Sequence, residues 1–488
     1  MTTSDDEQRV LAAVPKQLFI GGEWRDTADG STFAVEDPAT GRTLVNVANG
    51  KGGDALAALD AADSAQSGWA ATPPRARGEI LRKTYEILSD RVDDLALLMT
   101  LEMGKPLAES RAEITYAAEF LRWFSEEAVR IDGRYTVEPN GRGRLLVMRQ
   151  PVGPCLLITP WNFPMAMATR KLGPAIAAGC TIVLKPAELT PLSTLALTDI
   201  LTTAGLPPGV LNVVTTSDPG GTTTPVIADR RLRKLSFTGS TPVGKSLIVA
   251  ASEQLLRVSM ELGGNAPFLV FADADLDAAV EGALVAKLRN VGEACTAANR
   301  FLVHESVAKE FGERLAQRFS ALKVGRGTEP GVEIGPLIEH KAREKLVALV
   351  DEAKACGATV ATGGQSVTGE GYFFAPTVLT DVPPESRVLN EEIFGPVAPV
   401  VSFASVEDGI RAANATEYGL VAYVYTTNIE TALNVTEALE VGMVGLNQGL
   451  VSNPAAPFGG VKHSGFGREG GKEGIEEYLD TKYVAVHL

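Results

Sequence analysis

The chain has 488 residues, 45% of them hydrophobic and 22% charged. This composition excludes a disordered or fibrous chain, and the length exceeds what one hydrophobic core usually serves, so two or three domains are expected. Lys plus Arg number 45 against 60 Asp plus Glu, a net charge of -15, which argues against general nucleic-acid or anionic-membrane binding but leaves room for a local basic pocket that holds a small anion.

The acidic start, Met1 to Glu7, lacks the basic-then-apolar pattern of a signal peptide, and no run of 18 apolar residues suggests a membrane span. Residues 54–70 and 75–132 are rich in Ala, Leu, Glu and Arg and carry helical spacing, as in Leu81, Tyr85, Leu88, Val92 and Leu95. Residues 143–149 read as a strand. Apolar runs then alternate with helical stretches: 155–159, 181–184, 210–214, 234–237 and 266–271. Strands separated by such stretches imply a parallel sheet of βαβ units. A second alternation follows at 300–303, 359–361, 399–403, 422–425 and 442–446. The expected fold is therefore α/β, with two parallel-sheet domains and a helical N-terminal section before the first. Residues 476–488 end in alternating apolar residues and read as a strand that needs a partner. The four cysteines, Cys155, Cys180, Cys295 and Cys356, show no C-x-x-C spacing. That excludes a disulfide framework and argues against structural zinc; no metal is expected, and a reducing cytoplasm fits best.

Gly239-Ser-Thr-Pro-Val-Gly244-Lys245-Ser246 matches the P-loop pattern letter for letter, after a strand-like run and before an apolar helix-like one. Phe268 to Asp273 resembles a Walker B strand. The run reads either as a phosphate-transfer loop or as a strand-to-helix turn whose helix N-terminus faces a phosphate or nothing. Gly465-Phe-Gly467-Arg-Glu-Gly470 matches G-x-G-x-x-G, but no strand precedes it and the chain after it is too short for a βαβ unit, so it reads as a loop.

Cys155 and Cys180 lie in or beside apolar runs, as small core residues do. Cys295 stands apart, in the polar, glycine-broken, helix-like run Arg289-Asn-Val-Gly292-Glu-Ala-Cys295. Histidine is scarce, so the base for a thiol nucleophile would be a carboxylate. Glu261, directly before Leu262-Gly-Gly264, sits where backbone approaches a ligand closely; the alternative is a solvated turn glutamate. Asn162, within Pro160-Trp-Asn-Phe-Pro164, could donate an amide hydrogen to a developing oxyanion; the alternative is a turn asparagine beside a packed tryptophan.

Taken together these segments resemble the aldehyde dehydrogenase superfamily over nearly the whole length. The resemblance rests on Pro160 to Pro164, Lys185-Pro-Ala-Glu188, Phe237-Thr-Gly239-Ser-Thr-x-x-Gly244, Glu261 to Gly264, Gly292-x-x-Cys295, Glu392-Ile-Phe394-Gly-Pro396, and Pro457-Phe-Gly-Gly-Val-Lys-x-Ser-Gly465, in the family's order and spacing. It displaces the P-loop reading, because in this family the Gly239–Gly244 turn faces a dinucleotide pyrophosphate and Lys245 is incidental. It implies a dinucleotide-binding domain over 1–128 and 150–262, a catalytic domain over 263–463, and a bridging β-extension used in oligomers over 129–149 and 464–488. A homodimer or homotetramer is expected.

The family's roles imply that Cys295 adds to the aldehyde carbon to form a thiohemiacetal, with the Asn162 amide and the Cys295 N–H as oxyanion hole. Collapse sends hydride to the nicotinamide and leaves a thioester. Glu261 activates the hydrolytic water and helps deprotonate the thiol, and Lys171 connects that glutamate to solvent. Lys185 and Glu188 contact the adenosine ribose; Glu392 and Phe394 hold the nicotinamide ribose and ring. Trp161, Ser240 and Leu262 complete the expected cofactor site. Glu188 implies preference for NAD, with some use of NADP. Thr169-Arg170-Lys171, Arg289 and Gly449-Leu-Val-Ser452 resemble succinate-semialdehyde dehydrogenases, where two arginines and a serine bind the substrate carboxylate. Glutarate semialdehyde, one methylene longer, or a broader aldehyde range is the alternative substrate, and a P-loop nucleotide hydrolase the alternative from another class. Some relatives carry a second cysteine two residues after the nucleophile; here Ala297 occupies that place, so no disulfide switch is expected.

Overall fold

A computed structural model of the protein describes residues 3–487. Met1 and Thr2 of the acidic start and Leu488 of the C-terminal segment lie outside the described residues. Five strands, Leu211–Val213, Ile182–Lys185, Cys155–Ile158, Lys234–Thr238 and Arg257–Glu261, lie side by side in that order, all parallel. The first four are buried at every residue, which is why most of them read as continuous apolar runs. Leu18–Ile20 and Glu23–Arg25 extend one edge antiparallel, and Gly465–Phe466 caps the other. The N-terminal section is thus not purely helical. Short strands, including the pair Thr32–Asp37 and Arg42–Ala48, precede the helices Gly52–Ala71, Pro74–Asp90, Val92–Met103 and Leu107–Glu127. Strands this short carry too few alternations to register as a period.

The second sheet runs Thr359–Thr362, Thr377–Thr380, Val397–Phe403, Ala298–His304, Ala266–Val270, Val421–Tyr425 and Met443–Leu446, parallel except at its first pair. Phe268, Phe301, Phe311 and Phe319 fill its core, each contributing about 1.5–3 kcal/mol by burial. The C-terminal strand Leu479–His487 pairs antiparallel with Gly143–Pro151 along its whole length, and that strand pairs with Arg134–Val137. The expected partner for the terminal strand is therefore within the chain, and the exposed Arg134–Val137 forms the edge of this small sheet.

Register places the chemistry. Ile158 lies opposite Lys185 and Phe237, and Thr238 lies opposite Glu261. The turns carrying Trp161, Asn162, Glu188, Gly239 and Ser240 therefore leave neighbouring parallel strands at one common end, the carboxyl end, where α/β sheets open a crevice for ligands. The helix that follows the Asn162 turn, Pro164–Ala178, is buried at every residue although it contains Arg170 and Lys171.

Candidate active site

Cys295 lies beyond the end of the helix Leu276–Leu288. The run read as helix-like from sequence is instead a tight turn: Asn290 and Val291 both have φ 52°, and Gly292 has φ 82°. Left-handed backbone at two non-glycine residues costs of order 1–3 kcal/mol each, and hydrogen bonds hold it. The Asn290 N–H donates to Glu109 (2.6 Å), and its Nδ2 donates to the carbonyls of Asn162 (2.9 Å) and Glu293 (3.1 Å). Gly264 meets this loop closely; a Cβ there would stand 2.4 Å from the Cys295 carbonyl oxygen. The Cys295 thiol is half-buried. Burial pushes it up to about 12, Arg170 and Arg289 pull it down, and Glu392 and Glu261 add to the rise, so the resting sulfur carries its proton. The other cysteines are free; Cys155 and Cys180 are core residues and Cys356 is exposed.

Asn162 is buried, and its Nδ2 donates one hydrogen to the Glu293 carbonyl (3.0 Å). An amide nitrogen has two hydrogens, so one remains for a ligand. Cys295 and Asn162 line one cavity of about 290 Å³, together with Trp161, Gly239, Ser240, Leu262, Glu392 and Phe394. Eight of the expected residues therefore share one space. Trp161 and Phe394 meet edge to face, 5.4 Å between ring centroids. Glu392 accepts the Gly264 N–H (3.0 Å), and Lys345 donates to the Glu392 carbonyl (2.6 Å).

Glu261 ends its strand inside the protein rather than in a solvated turn, 4% exposed, with neither carboxylate oxygen hydrogen-bonded. Burial and then the charge of Glu469 push it well above the ordinary carboxylate range, while Arg170 and Lys171 act the other way. Burial also opposes ionisation of Glu469, yet Lys171 and Arg170 hold it below that range. Lys171 donates to Glu469 (2.5 Å) and to Ser236 (2.9 Å), and Arg170 pairs with the other Glu469 oxygen at 2.9 Å. Of these two carboxyls, Glu469 is the ionised one and Glu261 holds the proton at rest. Sequence reasoning missed Glu469: it lies in the Gly465–Gly470 loop, nearly three hundred residues from its partners, and a glutamate among glycines carries no mark of burial.

The two expected substrate arginines differ. Arg170 is buried, paired with Glu469, and stacked 3.9 Å from the Phe458 ring centroid. Arg289 has no ion-pair partner among the described residues; its guanidinium lies 4.7 Å from the Phe163 and 5.7 Å from the Tyr116 ring centroid. It lines a second cavity, about 450 Å³, and Phe163 borders both cavities. Ser452 is half-buried. Burial raises the Tyr116 phenol, its buried hydroxyl has no hydrogen-bond partner, and Arg289 lies over its ring; sequence reasoning did not single this tyrosine out.

Lys185 and Glu188 form an ion pair at 3.1 Å, the lysine buried and the glutamate half-exposed. The Gly239 turn leads into the helix Thr241–Ser252, whose cap residue Ser240 makes no side-chain capping bond, and the buried Thr238 hydroxyl beside it has no partner. A Cβ on Gly239 would stand 2.5 Å from the Phe237 ring, and Gly244 is buried in the first turn of that helix. Lys245 is exposed. The Walker B resemblance fails: Asp273 spends its carboxylate on Thr426, Thr427 and Asn428, at 2.8 to 2.9 Å, tying down the loop after Val421–Tyr425.

Comparison with known proteins identifies the family. The Aldehyde dehydrogenase family matches residues 24–484. The succinate-semialdehyde dehydrogenase of Paenarthrobacter nicotinovorans is 60% identical over 443 residues, covering 91% of this chain and 98% of that one. The NADP(+)-dependent succinate-semialdehyde dehydrogenase GabD of Escherichia coli K12 is 49% identical, covering 97% and 98%. The crystal structure of the succinate-semialdehyde dehydrogenase from Burkholderia pseudomallei superposes with a TM-score of 0.96 at 48% identity over 100% of both chains. The chain belongs to the aldehyde dehydrogenase family, whose enzymes oxidise aldehydes with a nicotinamide dinucleotide.

Proposed function

We propose that the protein oxidises succinate semialdehyde to succinate. The observation that carries this reading is the Arg289 guanidinium, which has no ion pair among the described residues and packs on Phe163, the residue that borders both its own cavity and the Cys295 cavity. A desolvated carboxylate needs charge-assisted donors, and Arg289 forms no ion pair with a protein carboxylate among the described residues. Arg170, Tyr116 and Ser452 complete the anion's surroundings. Lys171 and Glu469 keep the charge of the region balanced.

The dinucleotide is held by Trp161, Lys185, Glu188, Gly239, Ser240, Gly244, Leu262, Glu392 and Phe394. The uncapped helix start at Ser240 and the partnerless Thr238 hydroxyl fit an anion such as a pyrophosphate. When bound, the nicotinamide accepts the hydride. The Cys295 thiol gives its proton to solvent, the sulfur adds to the aldehyde carbon, and the carbonyl electron pair moves to oxygen, where the second Asn162 amide hydrogen and the Cys295 N–H receive it. Glu261 first gives its resting proton outward to solvent by way of Lys171 and Glu469, then takes one from the water that opens the thioester and passes it out by the same route. Glu188 favours NAD, because a carboxylate accepts from both ribose hydroxyls and repels a 2′-phosphate. The three-stranded sheet with its exposed edge at Arg134–Val137 is the subunit contact of a homo-oligomer, and the cytoplasm, which keeps the Cys295 thiol reduced, is the compartment.

Glutarate semialdehyde remains a second substrate, since one methylene changes binding by only about 1–3 kcal/mol. An initial-rate panel of succinate semialdehyde, glutarate semialdehyde and uncharged aldehydes, with NAD and with NADP, tests the reading. Higher kcat/KM for uncharged aldehydes than for succinate semialdehyde would overturn it.

A further inference from the structure

We propose that Lys105 is a positioning residue for the oxyanion hole, acting through the backbone of Asn162; this rests on the role given to Asn162 above. Lys105 follows Gly104, which caps the helix Val92–Met103 in a left-handed turn (φ 87°). Its ammonium is buried, 2% exposed, yet belongs to neither the thiol nor the acid–base cluster. It donates to the Asn162 carbonyl (2.9 Å), pairs with Glu113, and lies 4.2 Å from the centroid of the Phe163 ring. Glu113 uses its other oxygen to accept the N–H groups of Met165 (3.1 Å) and Ala166 (3.2 Å). One ion pair therefore grips the Asn162–Phe163 turn from both sides: carbonyl and ring before it, helix start after it.

The grip reaches the reacting atoms in two steps. The Asn162 carbonyl that Lys105 holds also accepts from Asn290 Nδ2, and both asparagine amides donate to the Glu293 carbonyl. This closed set of bonds ties the oxyanion donor to the loop that carries Cys295. Fixing the Asn162 backbone fixes where the second Nδ2 hydrogen points. A buried ion pair is weak as a device for stability, because desolvation offsets much of its attraction and an apolar pair of the same volume often serves as well. Holding a donor to a fraction of an ångström is where a directional, charged hydrogen bond surpasses an apolar contact.

The test compares two reactions of the same sulfur. Iodoacetamide forms an S–C bond as the C–I bond breaks, iodide leaves, the thiol proton goes to solvent, and no charge develops on oxygen. p-Nitrophenyl acetate acylates the sulfur through a tetrahedral oxyanion before nitrophenolate leaves. In the full-length enzyme, Lys105→Met and the charge-balanced Lys105→Met/Glu113→Gln variant are expected to slow acylation and aldehyde kcat by about 10- to 100-fold, below the ~100- to 1,000-fold cost of deleting an oxyanion donor. Alkylation should stay within about twofold. Glu113→Gln alone retains an amide oxygen for the Met165 and Ala166 N–H groups and should show the same split at smaller size. Equal slowing of both reactions, or unchanged acylation, overturns the proposal. Asn162→Ala separates the two levels: if it slows acylation and the Lys105 variants do not, the positioning role alone fails; if it leaves acylation unchanged, the oxyanion role of Asn162 fails and this inference with it.

Discussion

Arg289→Met isolates the substrate anion's recognition. The substitution keeps an apolar stem against Phe163 and Tyr116, which the guanidinium now faces at 4.7 and 5.7 Å, and removes only the charge and the donors. No ion pair among the described residues is broken, and the buried Glu109, which feels the Arg289 charge, keeps Lys105 nearby and the Asn290 N–H. The loss is that of a charge-assisted hydrogen bond to substrate, about 1.5–3 kcal/mol, or about 10- to 150-fold in kcat/KM at 1.36 kcal/mol per decade. The loss should fall far more on succinate semialdehyde than on butanal, of equal carbon number and no charge, which loses only the minor pull of Arg289 on the Cys295 thiol. Arg170→Met has a different signature. It leaves Glu469 with Lys171 alone, inside the protein, and breaking a buried pair costs about 3–5 kcal/mol. Its effect should appear as lower thermal stability and a loss shared by charged and uncharged aldehydes. The assay is kcat/KM for both aldehydes in both variants, beside a melting curve. If Arg289→Met lowered both aldehydes equally, the arginine would be structural and the anion's seat would lie elsewhere.

The covalent mechanism gives a second expectation: Cys295→Ala abolishes oxidation while the dinucleotide still binds, and Glu261→Gln accumulates an acyl-enzyme visible as added mass; full turnover in either variant refutes the scheme. The third concerns the thiol, which burial raises to about 12: alkylation of the cofactor-free enzyme should climb about tenfold per pH unit from 7 to 9 without a plateau, because only the thiolate reacts, and a plateau below pH 9 contradicts it. The sign of the same shift sets a stability trend. The unfolded thiol ionises above about 8.5 while the folded one stays protonated, so the wild type should lose stability relative to Cys295→Ala as pH rises past that value. The fourth concerns the cofactor: Glu188→Ser frees Lys185, now paired to it at 3.1 Å, to meet a 2′-phosphate, and should move the kcat/KM ratio towards NADP; a wild type already faster with NADP than with NAD would show Glu188 misread.

Sequence reading succeeded where one segment carries its own signal. The buried strands Cys155–Ile158 and Ile182–Lys185 are nearly continuous apolar runs, and the Gly239 strand-to-helix turn is marked by its glycines. It failed where the signal is shared between distant segments. Arg257–Glu261 holds an arginine, a serine and a glutamate, yet it is a strand of the first sheet, next to its Gly465–Phe466 edge, with half-buried Arg257 bonded to the C-terminal segment and Glu261 buried. Lys105 and Glu113 look like the charges of a solvated helical stretch, and both are about 1% exposed at the side chain. Their burial follows from docking against the Pro164–Ala178 helix, which no local pattern encodes.

The two arginines show what the structure adds even where the residues were already chosen. In the sequence Arg170 and Arg289 are equivalent: each is a cation expected at the same carboxylate. In the fold they divide the task. The Glu469 carboxylate faces Arg170, Lys171 and Glu261 and also feels the charge of Lys234. Removing Arg170 from that set would change the charge that bears on Glu261 as well as on substrate. Arg289 stands outside it, packed on aromatic rings that hold its position without neutralising it. Substrate choice can therefore vary at Arg289 and Tyr116 without disturbing the proton inventory of Glu261, whereas a change at Arg170 touches both. A carboxylate-accepting aldehyde dehydrogenase built this way can change its preference for an anion at Arg289 or Tyr116 while the Glu261, Glu469 and Lys171 cluster stays intact.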